Sequence, residues 1–97
     1  NLTLANAYTN GNGGAIYAEF RANTVINNVT FNANTADNGG GGIYSAWESN
    51  LSVNNSRFTN NVATAGNNER GAGGIAFVSP GTFTVTNSVF EGNKGIN

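Results

Sequence analysis

The sequence predicts an all-β protein, folded over residues 1–97 as one segment of a single-stranded parallel β-helix, or β-solenoid. Two observations predict this fold. A set of apolar and Asn positions returns along the chain with constant internal offsets, and the apolar residues alternate with the period of two that is typical of strands. A solenoid explains both, because each coil stacks on its neighbour and only outward loops can vary in length.

The repeat contains two motifs that alternate along the chain. Gly-Gly-x-Ile or a close variant ends at Ile16, Ile43 and Ile75, and Phe-x-x-Asn begins at Phe31, Phe58 and Phe90. For both motifs the offset between successive copies is 27 residues and then 32. All of the growth falls between Phe-x-x-Asn and the next Gly-Gly, which predicts one outward loop that lengthens from coil to coil.

The first copy is aligned through its apolar residues. Pairing Leu4 with Ile26 gives an offset of 22 residues and puts Thr9, with Tyr8 beside it, at the Phe position. This alignment predicts about 3.5 coils of 22–32 residues, each with three short strands. The coils are expected to rise by ~4.8 Å, the spacing of paired strands.

Five positions in each copy are predicted to stack in rows. The apolar rows are Ile16, Ile43 and Ile75; Ile26, Val53 and Val85; and Phe31, Phe58 and Phe90. The Asn rows are Asn28, Asn55 and Asn87; and Asn34, Asn61 and Asn93. Asn suits corners because it tolerates left-handed backbone angles, and its amide can bond the Asn above and below.

The alternation of the two motifs resembles the repeat of the chlamydial polymorphic outer membrane proteins, which are autotransporter adhesins. It also resembles other bacterial right-handed β-helix surface proteins. The residues that carry the resemblance are Gly13–Ile16, Gly40–Ile43, Gly73–Ile75, Phe31–Asn34, Phe58–Asn61 and Phe90–Asn93. The resemblance implies a right-handed helix, as does the handedness rule for parallel crossovers. It also implies surface display and adhesion, and it supplies no catalytic residues.

The composition excludes several functional classes. The chain has 20 Asn, 14 Gly and 10 Thr, only 9% charged residues, and neither Cys nor His. It therefore has no disulfide framework, no zinc site of thiolates or imidazoles, and no Ser-His or Cys-His catalysis. A net charge of -1 with four basic residues gives no footprint for nucleic acid. No apolar run approaches the ~18 residues of a membrane span, so we expect no direct membrane insertion.

Catalysis and cofactors are not expected. Polysaccharide lyases and hydrolases also use right-handed β-helices, so a fragment of such an enzyme is the alternative function. Its best carboxylate pair is Glu19 and Glu48, expected to lie ~8–10 Å apart, although two solvated carboxylates explain them more simply. Glu69 and Arg70 are expected to form a solvated charge pair in the longest loop. The candidate calcium ligands are Asp37, Asn38 and nearby carbonyls, and we favour no bound ion.

The surface suggests a partner face. Tyr17 and Tyr44 occupy equivalent outward positions, so they are expected to stack and to offer a strip for a glycan or protein receptor, or else to pack across strands. Phe20 and Trp47 are expected to point inward. The predicted function is a non-catalytic structural module, extracellular or on a bacterial surface, of an adhesin stalk or filament. Its expected partner is a further coil, from a longer solenoid or from a copy stacked end to end.

Overall fold

The computed structural model describes residues 1–64, 72–78 and 80–95, and over these residues every regular element is a β-strand. The strands, numbered in chain order, are β1 (Leu2–Ala5), β2 (Tyr8–Thr9), β3 (Ile16–Ala18), β4 (Asn23–Asn27), β5 (Val29–Asn32), β6 (Thr35–Ala36), β7 (Ile43–Ala46), β8 (Asn50–Asn54), β9 (Arg57–Thr59), β10 (Val62–Ala63), β11 (Ile75–Val78), β12 (Phe83–Thr86) and β13 (Val89–Glu91). Among the residues described, no helix has the length and apolar character needed to cross a membrane.

The strands stack as the coils of a parallel β-helix, which confirms the predicted fold. β1, β5, β9 and β13 form one sheet, and three further sheets contain β2, β6 and β10; β3, β7 and β11; and β4, β8 and β12. All of these pairings are parallel, and each joins a strand to the one four elements further along the chain. A coil therefore contains four strands where three were predicted. The strand that was missed has only two residues, too few for alternation to be detected.

The first coil has the same length as the second, so the predicted offset of 22 residues was wrong. Leu4 pairs with Phe31, and Thr9 pairs with Ala36 in the short additional strand. The backbone N–H of Ala7 donates to the side-chain oxygen of Asn34 at 3.0 Å across 27 residues. Leu4 and Ala7 thus stand where later coils have Phe and Asn. Because neither signature side chain is present there, the motif could not be recognised.

The core contains three apolar rows. Paired strands place Ile16, Ile43 and Ile75 in register, and likewise Ile26, Val53 and Val85, and Phe31, Phe58 and Phe90. The Phe rings stack nearly parallel, with centroids 4.5 and 4.6 Å apart. Such contacts contribute ~0.5–1.5 kcal/mol beyond the buried area. Phe58 in the middle of its row is 0% exposed, whereas Phe90 in the last coil is 44% exposed.

A ladder of buried amides runs beside the Phe row. The side-chain oxygen of Asn61 accepts from the backbone N–H and the side-chain amide of Asn34, both at 3.0 Å. The side-chain amide of Asn61 donates to the carbonyl of Phe31 at 3.0 Å and to the side-chain oxygen of Asn93 at 2.9 Å. Asn34 and Asn61 therefore each join their own coil to both neighbours, Asn93 joins the last described coil to the one before it, and the buried Asn61 has partners for both of its amide donors.

The other Asn row forms a corner through its backbone. Asn28, Asn55 and Asn87 have φ values of 56°, 52° and 49°, the left-handed region that Asn tolerates better than most residues. Their side chains are exposed at the surface. The amide-to-amide ladder expected of both Asn rows is formed, in the described part of the chain, by the row of Asn34, Asn61 and Asn93.

Gly-Gly is required where the loop re-enters the sheet. At Gly13 and Gly40 the backbone is left-handed, with φ of 73° and 67°. A Cβ atom on Gly41 would lie 2.4 Å from the carbonyl oxygen of Gly73 in the next coil, so a side chain cannot fit there. The longest predicted loop, with Glu69 and Arg70, lies mainly outside the described residues.

Candidate functional site

One corner of the solenoid carries large side chains on a left-handed backbone. It follows β3 in one coil and β7 in the next, with φ of 61° at Phe20, 67° at Arg21, 60° at Trp47 and 63° at Glu48. For residues other than Gly and Asn this conformation costs roughly 1–2 kcal/mol each. The backbone N–H of Arg21 donates to the carbonyl of Trp47 at 2.9 Å, and this hydrogen bond joins the corner of one coil to the equivalent corner of the next coil.

Phe20 and Trp47 form an exposed aromatic pair at this corner. Their rings stack with centroids 5.9 Å apart and an interplanar angle of 17°. Phe20 is 71% exposed and Trp47 is 56% exposed, so the expectation that both point inward was wrong. The physical reason is the backbone: two successive left-handed residues end the extended conformation, and the alternation of faces ends with it.

An ion pair lies beside the aromatic pair. The Nε of Arg21 donates to Oε1 of Glu48 at 2.9 Å, across the same coil boundary. Both side chains are mostly exposed, so the pair contributes at most ~1 kcal/mol to folding. The contact uses one guanidinium N–H and one carboxylate oxygen. The other guanidinium N–H groups of Arg21 and Oε2 of Glu48 take no part in this contact.

These four residues and Pro80 line an open cleft of about 600 Å³. Pro80 belongs to the third coil and follows Glu48 at the 32-residue offset of the repeat. The cleft thus spans three coils, and its described lining combines two aromatic rings and one proline with two opposite charges. Clefts of this size that combine aromatic side chains with a few polar groups are typical of small-molecule binding sites.

The tyrosine strip differs from its expected arrangement. Tyr17 and Tyr44 stack with centroids 5.4 Å apart and an interplanar angle of 7°. Tyr17 is 53% exposed, but Tyr44 is 3% exposed and packs in a small cluster with Ala46 and Ala76. The expectation that both rings form a solvent face was wrong for Tyr44, because this cluster covers its ring. Of these two rings, Tyr17 is the one exposed at the surface.

Asp37 joins three coils through hydroxyl groups. One carboxylate oxygen accepts from the Tyr8 hydroxyl at 2.5 Å, and the other accepts from the Thr64 hydroxyl at 2.7 Å. The bond from Tyr8, followed by that from Thr64, holds the pKa of Asp37 below its ordinary value, and the same bond to Asp37 raises the pKa of Tyr8. Within the described residues, no group of three or more His, Cys, Asp or Glu side chains is placed to hold a metal ion.

Glu48, which was paired with Glu19 in the sequence analysis, contacts Arg21 in the structure. Arg21, one repeat before Glu48, provides the contact that Glu48 makes across the coils. Sequence analysis missed the cleft, although a signal for it exists. Two aromatic residues recur at an offset of 27, and each is followed directly by a charge, positive in one coil and negative in the next. Complementary residues at equivalent repeat positions indicate a cross-coil contact.

The fold defines the chain as a β-solenoid repeat protein. Within that class, residues 28–46 match the model of the Chlamydia polymorphic membrane protein repeat. The matched segment runs from the corner Asn28 through Phe31 and Asn34 to the Gly-Gly-x-Ile motif and the end of β7, so it contains one copy of each motif. The resemblance predicted from the sequence is confirmed over this segment. Comparisons with curated proteins and with solved structures found no match.

Proposed function

We propose that the chain is a non-catalytic structural module of an extracellular β-solenoid, displayed on a bacterial surface as part of an adhesin stalk. The observation that supports this role is how its motif residues are used. The Phe and Ile side chains fill the interior, and the Asn amides bond coil to coil. The match of residues 28–46 to a repeat named for a Chlamydia membrane protein supports display at the cell surface.

Surface display is tested by antibody labelling. An antibody raised against the purified chain is applied to intact and to permeabilised cells of the bacterium that produces it, with a cytoplasmic protein as the control. We expect the chain to be labelled on intact cells and the control only after permeabilisation. Labelling of the chain that also requires permeabilisation contradicts the proposed location.

We further propose that another coil of the same fold covers the last coil. Phe83, Val85 and Phe90 are 39–44% exposed there, while the equivalent Leu51, Val53 and Phe58 one coil earlier are at most 1% exposed. The covering coil is a continuation of the solenoid or a second copy. Negative-stain microscopy and sedimentation of the purified chain distinguish them, because a second copy gives filaments that lengthen with concentration. Monomers at all concentrations rule out stacking of copies.

The absence of catalysis is part of the proposal and has its own test. The purified chain is incubated with pectin and with alginate, and the release of new chain ends is followed. We expect no release. Depolymerisation that disappears in the Glu48→Gln or Glu19→Gln variant instead supports the alternative, a polysaccharide-acting β-helix enzyme.

A further inference from the structure

We propose that the cleft lined by Phe20, Arg21, Trp47, Glu48 and Pro80 binds one unit of a neutral pyranose sugar. The inference rests on the proposed function only in that surface display gives the cleft access to glycans. It adds a ligand class, a neutral sugar, to a proposed function that concerns only the structural role of the repeat.

The aromatic pair supplies the apolar half of such a site. A pyranose ring has a face of C–H groups that matches the area of a six-membered aromatic ring and packs against it. Trp47 and Phe20 are stacked on each other but remain 56% and 71% exposed, so ring surface stays open to a ligand. The backbone bond from Arg21 to Trp47 fixes the corner that carries the two rings, and the rings stack on each other; a preorganised site loses less entropy on binding.

The ion pair supplies the polar half. A sugar hydroxyl both donates and accepts hydrogen bonds, so it is best met by a donor and an acceptor side by side. Arg21 and Glu48 offer this combination, because their mutual contact engages only Nε and Oε1. The remaining guanidinium N–H groups and Oε2 of Glu48 can form charge-assisted bonds to neighbouring hydroxyls.

The charge of the site selects among ligands. The two side chains of the pair carry opposite charges, and Phe20, Trp47 and Pro80 carry none. A sialylated or sulfated glycan is favoured by an unbalanced positive charge and a basic peptide by an unbalanced negative one, and the described lining residues carry neither. The size points the same way, since about 600 Å³ holds a small ligand, whereas a stable protein interface buries at least ~1,000 Å².

The backbone gives independent support. Four large residues hold left-handed φ values of 60–67° at this corner. Backbone strain of this kind concentrates where a protein clamps a ligand, because the strained residues point side chains where regular strands do not. The corners at Asn28 and Asn55 turn the same chain with the residue type that tolerates this conformation, so turning alone does not require an aromatic residue.

The test uses the only Trp of the chain as a reporter. Methyl glycosides of β-D-galactose, β-D-glucose, α-D-mannose and N-acetyl-β-D-glucosamine are titrated while Trp fluorescence and saturation-transfer NMR are recorded. We expect at least one to bind in the millimolar range, with saturation transferred to its C–H protons. Arg21→Gln and Glu48→Gln, which keep both rings, should weaken binding about tenfold, and Phe20→Ala more. The matched control is Tyr17→Ala, which removes an exposed ring outside the cleft and should leave binding unchanged.

Three results overturn the inference. One is that none of the four glycosides binds at ~50 mM. Another is saturation transfer that persists in a Phe20→Ala, Trp47→Ala double variant shown to be folded by circular dichroism. The third is tighter binding of sialyllactose, heparin or a basic peptide than of any of the four neutral glycosides. In each case antibody labelling of intact cells still tests surface display separately, so failure of the cleft is distinct from failure of the proposed function.

Discussion

The amide ladder can be tested by removing its central member. Asn61→Ala removes the partner of three groups: the backbone N–H of Asn34, one N–H of its side-chain amide, and the carbonyl of Phe31 as acceptor for the amide. The side-chain oxygen of Asn93 loses one of its two donors and keeps the backbone N–H of residue 61. The Asn34 groups lie in a residue with 0% exposure, where water cannot replace Asn61. An unsatisfied buried group costs ~1–3 kcal/mol. With two such groups fully buried, we expect the free energy of unfolding to fall by about 3–5 kcal/mol.

The assay is urea unfolding followed by far-ultraviolet circular dichroism, with the change taken from the midpoint at constant slope. The matched control is Asn60→Ala. Asn60 is exposed with a φ of 56°, and Ala33 occupies the equivalent position one coil earlier at 59°, so Ala is accommodated there. We expect this control to lose under ~1 kcal/mol. If Asn61→Ala loses no more than Asn60→Ala, the ladder does not hold the coils together.

Three further predictions concern the core, the loop entry and the exposed carboxylate. Phe58→Ala should cost about 3–5 kcal/mol, and Phe90→Ala clearly less because its ring is 44% exposed; equal losses in urea unfolding would contradict the stacked interior. Gly41→Ala should prevent cooperative unfolding altogether, since its Cβ would lie 2.4 Å from a carbonyl oxygen of the next coil; a native-like melting curve would refute this contact. NMR titration should give Asp37 a pKa below the ordinary 3.8, and Tyr8→Phe should raise it. The stability that this bond contributes is present above the pKa of Asp37 in the unfolded chain, and it is lost as the pH falls through the lower pKa of Asp37 in the folded chain. If the Asp37 pKa is the same in Tyr8→Phe, the bond from Tyr8 is not what lowers it.

The stacked interior was predictable because the solenoid imposes one constraint many times. A residue such as Phe31 must match Phe58 at the same offset as Ile16 matches Ile43, so independent rows support one register. The constraint fails where signature side chains are replaced. Leu4 fills the Phe position with a smaller apolar residue, and alternation alone could not distinguish its true partner from one five residues earlier.

The cleft could not be predicted because it departs from local preference. Alternation continued past the end of β3 places Phe20 inside with Ala18, and nothing in its propensity favours a left-handed backbone. In the structure the Phe20 side chain points outward instead, because Phe20 and Arg21 both have a left-handed backbone and the strand alternation ends there. The Tyr pair shows the opposite case: Tyr17 remains outward as expected, but Tyr44 is covered by packing that the spacing of its own strand does not reveal.

The amide ladder also bears on how such a chain can change its length. Because its bonds link equivalent residues of adjacent coils, the bonding scheme is the same whether the offset is 27 residues, as from Asn34 to Asn61, or 32, as from Asn61 to Asn93. Duplication or loss of one whole coil that carries the Phe-x-x-Asn motif restores the bonds of the ladder at the new junction. A gene encoding this fold can therefore lengthen or shorten by recombination between such repeats, without a new amide ladder having to evolve at the point of exchange.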